Sequence, residues 1–98
     1  MRALVGLALR SRSVALGREA CKRAARRGEL YALLVATDAG ATAVRDSGGA
    51  GEVPLLDAGL DKRGLGALAA RDELSTLGIT DPRLASGLAQ HVRRLREP

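Results

Sequence analysis

The chain has 98 residues, 46% of them hydrophobic, and a formal net charge of +5, enough for one compact domain with a single core and too little for two. It has no Trp, no Phe and a single Tyr, which excludes RNA-binding modules that stack several bases on exposed rings. One Cys and one His exclude an intramolecular disulfide and a Cys/His zinc site.

The charge is unevenly placed. Residues 1 to 28 hold eight Lys/Arg and one acid, whereas residues 29 to 98 hold eight bases and ten acids. A local excess of this kind is the footprint of an anionic partner rather than of uniform solubilisation. Arg outnumbers Lys fourteen to two, which suits bidentate phosphate recognition; a codon usage rich in Arg, Ala and Gly accounts for the ratio equally well. No apolar run reaches membrane-spanning length, and the stretch Ala3 to Leu9 is cut off by Arg10 without a cleavage site, so the chain is expected in the cytoplasm.

Leu4, Leu7 and Ala8 recur at helical spacing, which predicts a first helix over Arg2 to Ser11. Val14, Ala15 and Leu16 follow as a short extended segment. At Gly17 a second helix begins, GREACKRAARR, and it stops at Gly28 after the pair Arg26 and Arg27. At about 100° per residue, Arg18, Lys22, Arg23, Arg26 and Arg27 fall on one half of its circumference, and Ala20, Cys21, Ala24 and Ala25 on the other. One half packs and the other is cationic. The unpaired N–H groups at its start make an anion-binding corner at Gly17, suited to a phosphate backbone; the plain alternative is a solvated surface helix. Glu19 lies within reach of Lys22 and Arg23 and is expected to pair with one of them. Cys21, on the apolar side, reads as a buried, inert thiol.

Leu30 to Thr37 is apolar without alternation, the pattern of a central strand covered on both faces. Asp38 to Glu52 has four glycines and supports at most a short helix near Ala41 to Asp46, then a flexible turn. Val53 to Leu56 reads as a short buried strand. Asp61 is placed to cap a helix that turns Leu65, Leu68 and Ala69 inward. After the charged loop Arg71, Asp72, Glu73, the run Leu74 to Ile79 reads as another strand. Asp81 followed by Pro82 opens a last helix with the stripe Leu84, Leu88, Val92 and Leu95, beside which His91 is a boundary residue. Alternation of helix and strand predicts a single-domain, three-layer α/β/α sandwich around a small mixed sheet of about four strands.

Catalytic constellations are missing from this pattern. No nucleophile stands beside a base, since the one imidazole is far along the chain on a helix. Asp38, Asp57 and Asp81 follow strand ends, where α/β sites form, but each also serves as a turn or capping residue. Gly64, Gly66 and Ala69 resemble part of a dinucleotide fingerprint placed inside a helix pattern rather than in a turn after a strand, and no P-loop is present.

The order and spacing of GLALRSRSVALGREACKRAARRG, LLVATDA, VPLL, DKRGLGALAARDE and LGITD resemble the ribosomal L-seven-Ae / L-thirty-e family, most closely its short bacterial ribosome-associated members. The similarity runs from Leu4 to Val92. It implies an α/β/α sandwich that binds kink-turn RNA, a bent helix–bulge–helix whose sheared G·A pairs meet the N-terminus of the glycine-led helix. Carried over by position, Gly17 matches the family glycine, Arg23 a basic position usually held by Lys, and Lys62 the lysine ahead of Leu65 and Gly66. The loop Ala70 to Ser75, with Arg71 and Leu74, matches the loop that approaches the bulged nucleotides. Where RNA-binding members carry Asn then Glu, this chain has Glu19 then Ala20. Ala20 cannot accept a hydrogen bond from a guanine edge, whereas phosphate contacts from Arg12, Arg18 and Arg23 remain physically sensible. The segment between Asp38 and Val53 is also shorter and richer in glycine than the family pattern.

The expected function is therefore non-enzymatic binding of structured, kink-turn-like RNA, with ribosomal RNA and the ribosome as the implied partners. The competing reading is a protein-interaction scaffold of the same fold that has lost base recognition. No cofactor, metal, membrane or small-molecule substrate is expected.

Overall fold

Leu30 to Ala36 lacks polar alternation because both faces of the strand it supplies are covered, and the strand formed by Thr76 to Ile79 is likewise buried along its whole length, its one polar side chain Thr76 included. A computed structural model describes residues 2–49 and 53–92. Five helices and four strands alternate in it: α1 (Arg2–Arg10), β1 (Val14–Leu16), α2 (Gly17–Arg26), β2 (Ala32–Val35), α3 (Ala41–Val44), β3 (Leu55–Asp57), α4 (Lys62–Leu68), β4 (Thr76–Ile79) and α5 (Pro82–His91). The sheet order is β1-β4-β2-β3, with β2 parallel to β3 and β4 antiparallel to both β1 and β2. The mixed four-strand sheet of the sequence reading is thus observed.

Successive residues of each strand point to opposite faces. Ala32 and Leu34 of β2, with Leu77 and Ile79 of β4, pack with Val5 and Ala8 of α1, Leu65 of α4, and Ala85 and Leu88 of α5. Leu33 and Val35 turn the other way and meet Cys21 and Ala24 of α2 and the half-buried Val44 of α3. Three helices on one face and two on the other make the three layers. The stripe of α5 packs through Leu88, Leu84 and Val92, and Leu95 lies outside the described residues.

Element boundaries differ from expectation where a loop takes over an apolar residue. Leu74 is buried but stands outside β4, its N–H donating to the Lys62 carbonyl at 2.9 Å. Val53 and Pro54 precede β3, and the Pro54 carbonyl accepts from the Leu33 N–H. The glycine-rich stretch is the larger correction. After α3 the chain makes a wide π-type turn, Arg45–Gly49, broken at Gly48 with φ 102°. A Cβ at Gly48 would lie 3.0 Å from Ala25 Cβ and 3.1 Å from Leu30 Cδ2, so this turn is packed on α2 where a flexible one was expected; residues 50–52 lie outside the described part.

Ser47 is the reason for that packing. Fully buried, it donates to the Ala43 carbonyl at 2.7 Å and shares a hydrogen bond with the equally buried Thr76 hydroxyl at 2.8 Å. With one proton on each oxygen, Ser47 donates to Ala43 and Thr76 donates to Ser47. The pair fixes the turn to the middle of the sheet without leaving a polar group unsatisfied.

Candidate nucleic-acid interface

The start of α2 is shaped by its first residue. Leu16 at the N-cap is extended and its side chain makes no capping hydrogen bond, so the first N–H groups are left for other acceptors. Gly17 turns the chain into the helix at φ 85°, a conformation natural for glycine and strained for other residues. Space around it is ample, since a Cβ would meet only Leu74 Cδ2, at 3.8 Å. Gly17 and Leu74 are therefore neighbours, and Leu74 is tied by its N–H to Lys62. Lys62 opens α4, and its own N–H donates to the Asp38 carboxylate at 2.8 Å.

The cationic side of α2 is exposed as expected. Arg18, Arg23, Arg26 and Arg27 face solvent, Lys22 is half-buried, and Cys21 and Ala24 are in the core. Two details differ. Arg18, expected at phosphate, contacts Asp46 of the π-type turn at 3.5 Å. The pair expected between Glu19 and Arg23 or Lys22 is not formed among the described residues; Glu19 instead lines an open groove.

That groove, of about 570 Å³, collects most of the remaining site residues. Arg12 reaches it from the turn after α1, Glu19 and Arg23 from one side of α2, and Arg71 from the loop between α4 and β4. Leu9, Ala20 and the three residues of β1 complete it. Arg12 and Ala70 both adopt positive φ, 58° and 56°, bends that turn the two loops at either end of the groove. Three guanidinium groups against one carboxylate leave it cationic, and none of the three is held in an ion pair among the described residues. Lys62 does not line it, but Leu74 connects Lys62 to the Gly17 corner. Sequence reasoning missed Leu9 and the β1 backbone, because only folding brings the end of α1 and one side of α2 to the two flanks of the β1 edge.

Gly66 holds the Arg71 loop in place. A Cβ there would lie 2.8 Å from the Arg71 carbonyl oxygen and 2.9 Å from Glu73 N and Cα. The Arg71 N–H donates to the Gly66 carbonyl at 2.9 Å. The loop thus lies directly on α4 and carries Arg71 toward α2.

The other chemically interesting residues have structural partners. The carboxylates of Asp57, Asp61 and Asp81 accept from the N–H groups of Gly59, Gly64 and Arg83 at 2.7 to 2.8 Å. Cys21 is fully buried, its thiol donating to the Ala15 carbonyl at 3.2 Å. Burial pushes the thiol pKa up against the lowering effect of Thr76 and the Gly78 backbone. His91 is exposed at the end of α5. Among the described residues no three His, Cys, Asp or Glu side chains gather as metal ligands, and no helix is long and apolar enough to cross a membrane.

No protein-family model matches this chain, and no curated protein matches it. Among solved structures it is similar to a protein of unknown function from Bacillus halodurans C, with a TM-score of 0.77 and 26% identity over 91% of this chain and 92% of that one. The likeness extends over nearly the whole of both chains, so the sandwich that carries the groove is shared with that protein.

Proposed function

We propose that this protein is a non-enzymatic binder of structured, kink-turn-like RNA in the cytoplasm, ribosomal or ribosome-associated, and a short bacterial member of the L-seven-Ae / L-thirty-e family. The observation that carries the reading is the meeting of Arg12, Arg23 and Arg71, from three separate elements, on one groove beside the uncapped start of α2. A bent RNA brings two backbone segments close together, and cations fixed on separate elements meet that shape better than a single charged stripe does. The Gly17 corner adds backbone donors for a phosphate. Glu19 and Ala20 stand where a guanine edge would be read, and Ala20 offers no acceptor, so shape and phosphate supply the selectivity.

The test is a titration of a kink-turn RNA and a straight duplex of equal length at two salt concentrations. Tighter binding to the kinked RNA that persists at the higher salt is expected. Equal, salt-sensitive binding to both would reduce the site to a generic basic patch, and binding to neither would leave the fold as a protein-interaction scaffold.

A further inference from the structure

The RNA reading uses the arginines of the groove and leaves its floor unexplained. That floor is the edge of the sheet: β1 is the terminal strand and pairs only with β4. The direction of its free backbone groups follows from the register. Thr80 N–H donates to the Ser13 carbonyl directly opposite it, so Ser13 and Thr80 form a hydrogen-bonded pair. In an antiparallel ladder such pairs alternate, which makes Ala15 and Gly78 the next one. Val14 and Leu16 lie opposite Ile79 and Leu77 in the positions between, and their N–H groups point away from the sheet, as does the Val14 carbonyl. The Leu16 carbonyl is engaged as the first acceptor of α2. The groove therefore has two donors and one acceptor at strand spacing along its floor.

We propose that this slot receives an extended acidic peptide segment of a partner protein, added to the sheet as a strand beside β1. Exposed edges are templates for such pairing, and β-strand addition draws affinity from main-chain hydrogen bonds and specificity from the flanking side chains. Here the flanks decide the charge of the partner. Arg12 stands by the end of α1, Arg23 on α2 and Arg71 on the loop beyond, with Glu19 the one opposing carboxylate. A strand with acidic residues facing these guanidinium groups is complementary, whereas a second copy of this chain would set each arginine near its counterpart. Leu9 and Ala20 supply apolar contact for alternate side chains. RNA has no strand of backbone donors and acceptors to match Val14 and Leu16, so the peptide is favoured in the slot. Because both occupants use the same arginines, the peptide competes with RNA.

The test uses the full-length protein labelled with ¹⁵N and a capped peptide of four Glu-Val repeats, with the Lys-Val peptide as control. At saturation, hydrogen exchange of the Val14 and Leu16 amides should slow by about tenfold or more, and the Lys-Val peptide should leave them unchanged. Val14→Pro removes an outward donor at an edge position where proline is tolerated, and it should weaken the acidic peptide by about tenfold. Should that variant unfold, Arg71→Glu, exposed and outside the core, should weaken it to a similar degree. No saturable binding of the acidic peptide overturns the proposal. So does binding that shifts arginine signals without protecting Val14 and Leu16, protection of those amides by a duplex RNA alone, or protection that arises from self-association in sedimentation. The peptide-binding readouts need no RNA, so failure of the peptide proposal is separable from failure of the RNA reading.

Discussion

At the scale of single residues, the three small polar side chains beneath α2 have consequences that can be measured. Cys21 keeps its proton to higher pH in the folded protein than in the unfolded chain, because burial penalises the thiolate. Its contribution to stability is therefore fully present below the ordinary thiol value and is lost as pH rises above about 9, where the unfolded chain begins to ionise. Urea midpoints of wild type and Cys21→Ala, measured from pH 7 to pH 10.5, should differ by a constant up to about pH 8.5 and converge above it; parallel curves throughout would contradict the buried thiol. Ser47 and Thr76 act as a unit. Ser47→Ala takes away the 2.8 Å acceptor of the buried Thr76 hydroxyl and leaves it only the Cys21 sulfur at 4.0 Å, at a cost of about 1–3 kcal/mol. In a double-mutant cycle with Thr76→Val the combined loss should be well below the sum of the single losses, because the second change removes the stranded donor. Additive losses would show that the two hydroxyls are not coupled.

At the scale of elements, the loop between α4 and β4 is the piece whose position the site most depends on. Gly66→Ala would force the Arg71–Glu73 backbone off α4, since the nearest atoms are main chain and cannot rotate away. Destabilisation of about 1–3 kcal/mol by urea unfolding is expected. RNA affinity should fall together with stability, because Arg71 and Leu74 move with the loop. An unchanged midpoint would show that the loop stands further from the helix than it does here. The opposite case is the Arg18–Asp46 pair. Both side chains are about half exposed, so it is worth no more than about 1 kcal/mol, and Ser47 and Gly48 hold the π-type turn more firmly than this ion pair does.

At the scale of the whole molecule, Arg12 and Arg23 from the basic first 28 residues come to one groove and are joined there by Arg71 from far along the chain. If three phosphates are neutralised by Arg12, Arg23 and Arg71, log K should fall with log salt with a slope of about −2 to −3. Arg23→Ala should cost about 1 kcal/mol or more of RNA affinity and reduce that slope by about one. A flat salt response would sink phosphate gripping altogether. Much of this arrangement was legible in the sequence. The alternation of apolar runs with capped helices determined the α/β sandwich, the doubly covered β2, the existence of β4 and the cationic side of α2, because periodicity and capping are local properties that each segment carries within itself. Asp61 and Asp81 cap the helices they were expected to cap, for the same reason. What only the tertiary structure decided are the non-local matters. Ser47 meets a threonine 29 residues away, Gly66 receives a backbone it could not announce, and Arg18 turns to Asp46 while Glu19 joins a groove with Arg12 and Arg71. The free edge of β1 belongs to the same class: a three-residue strand states its own conformation, but which of its backbone groups find partners depends on where the rest of the chain comes to lie.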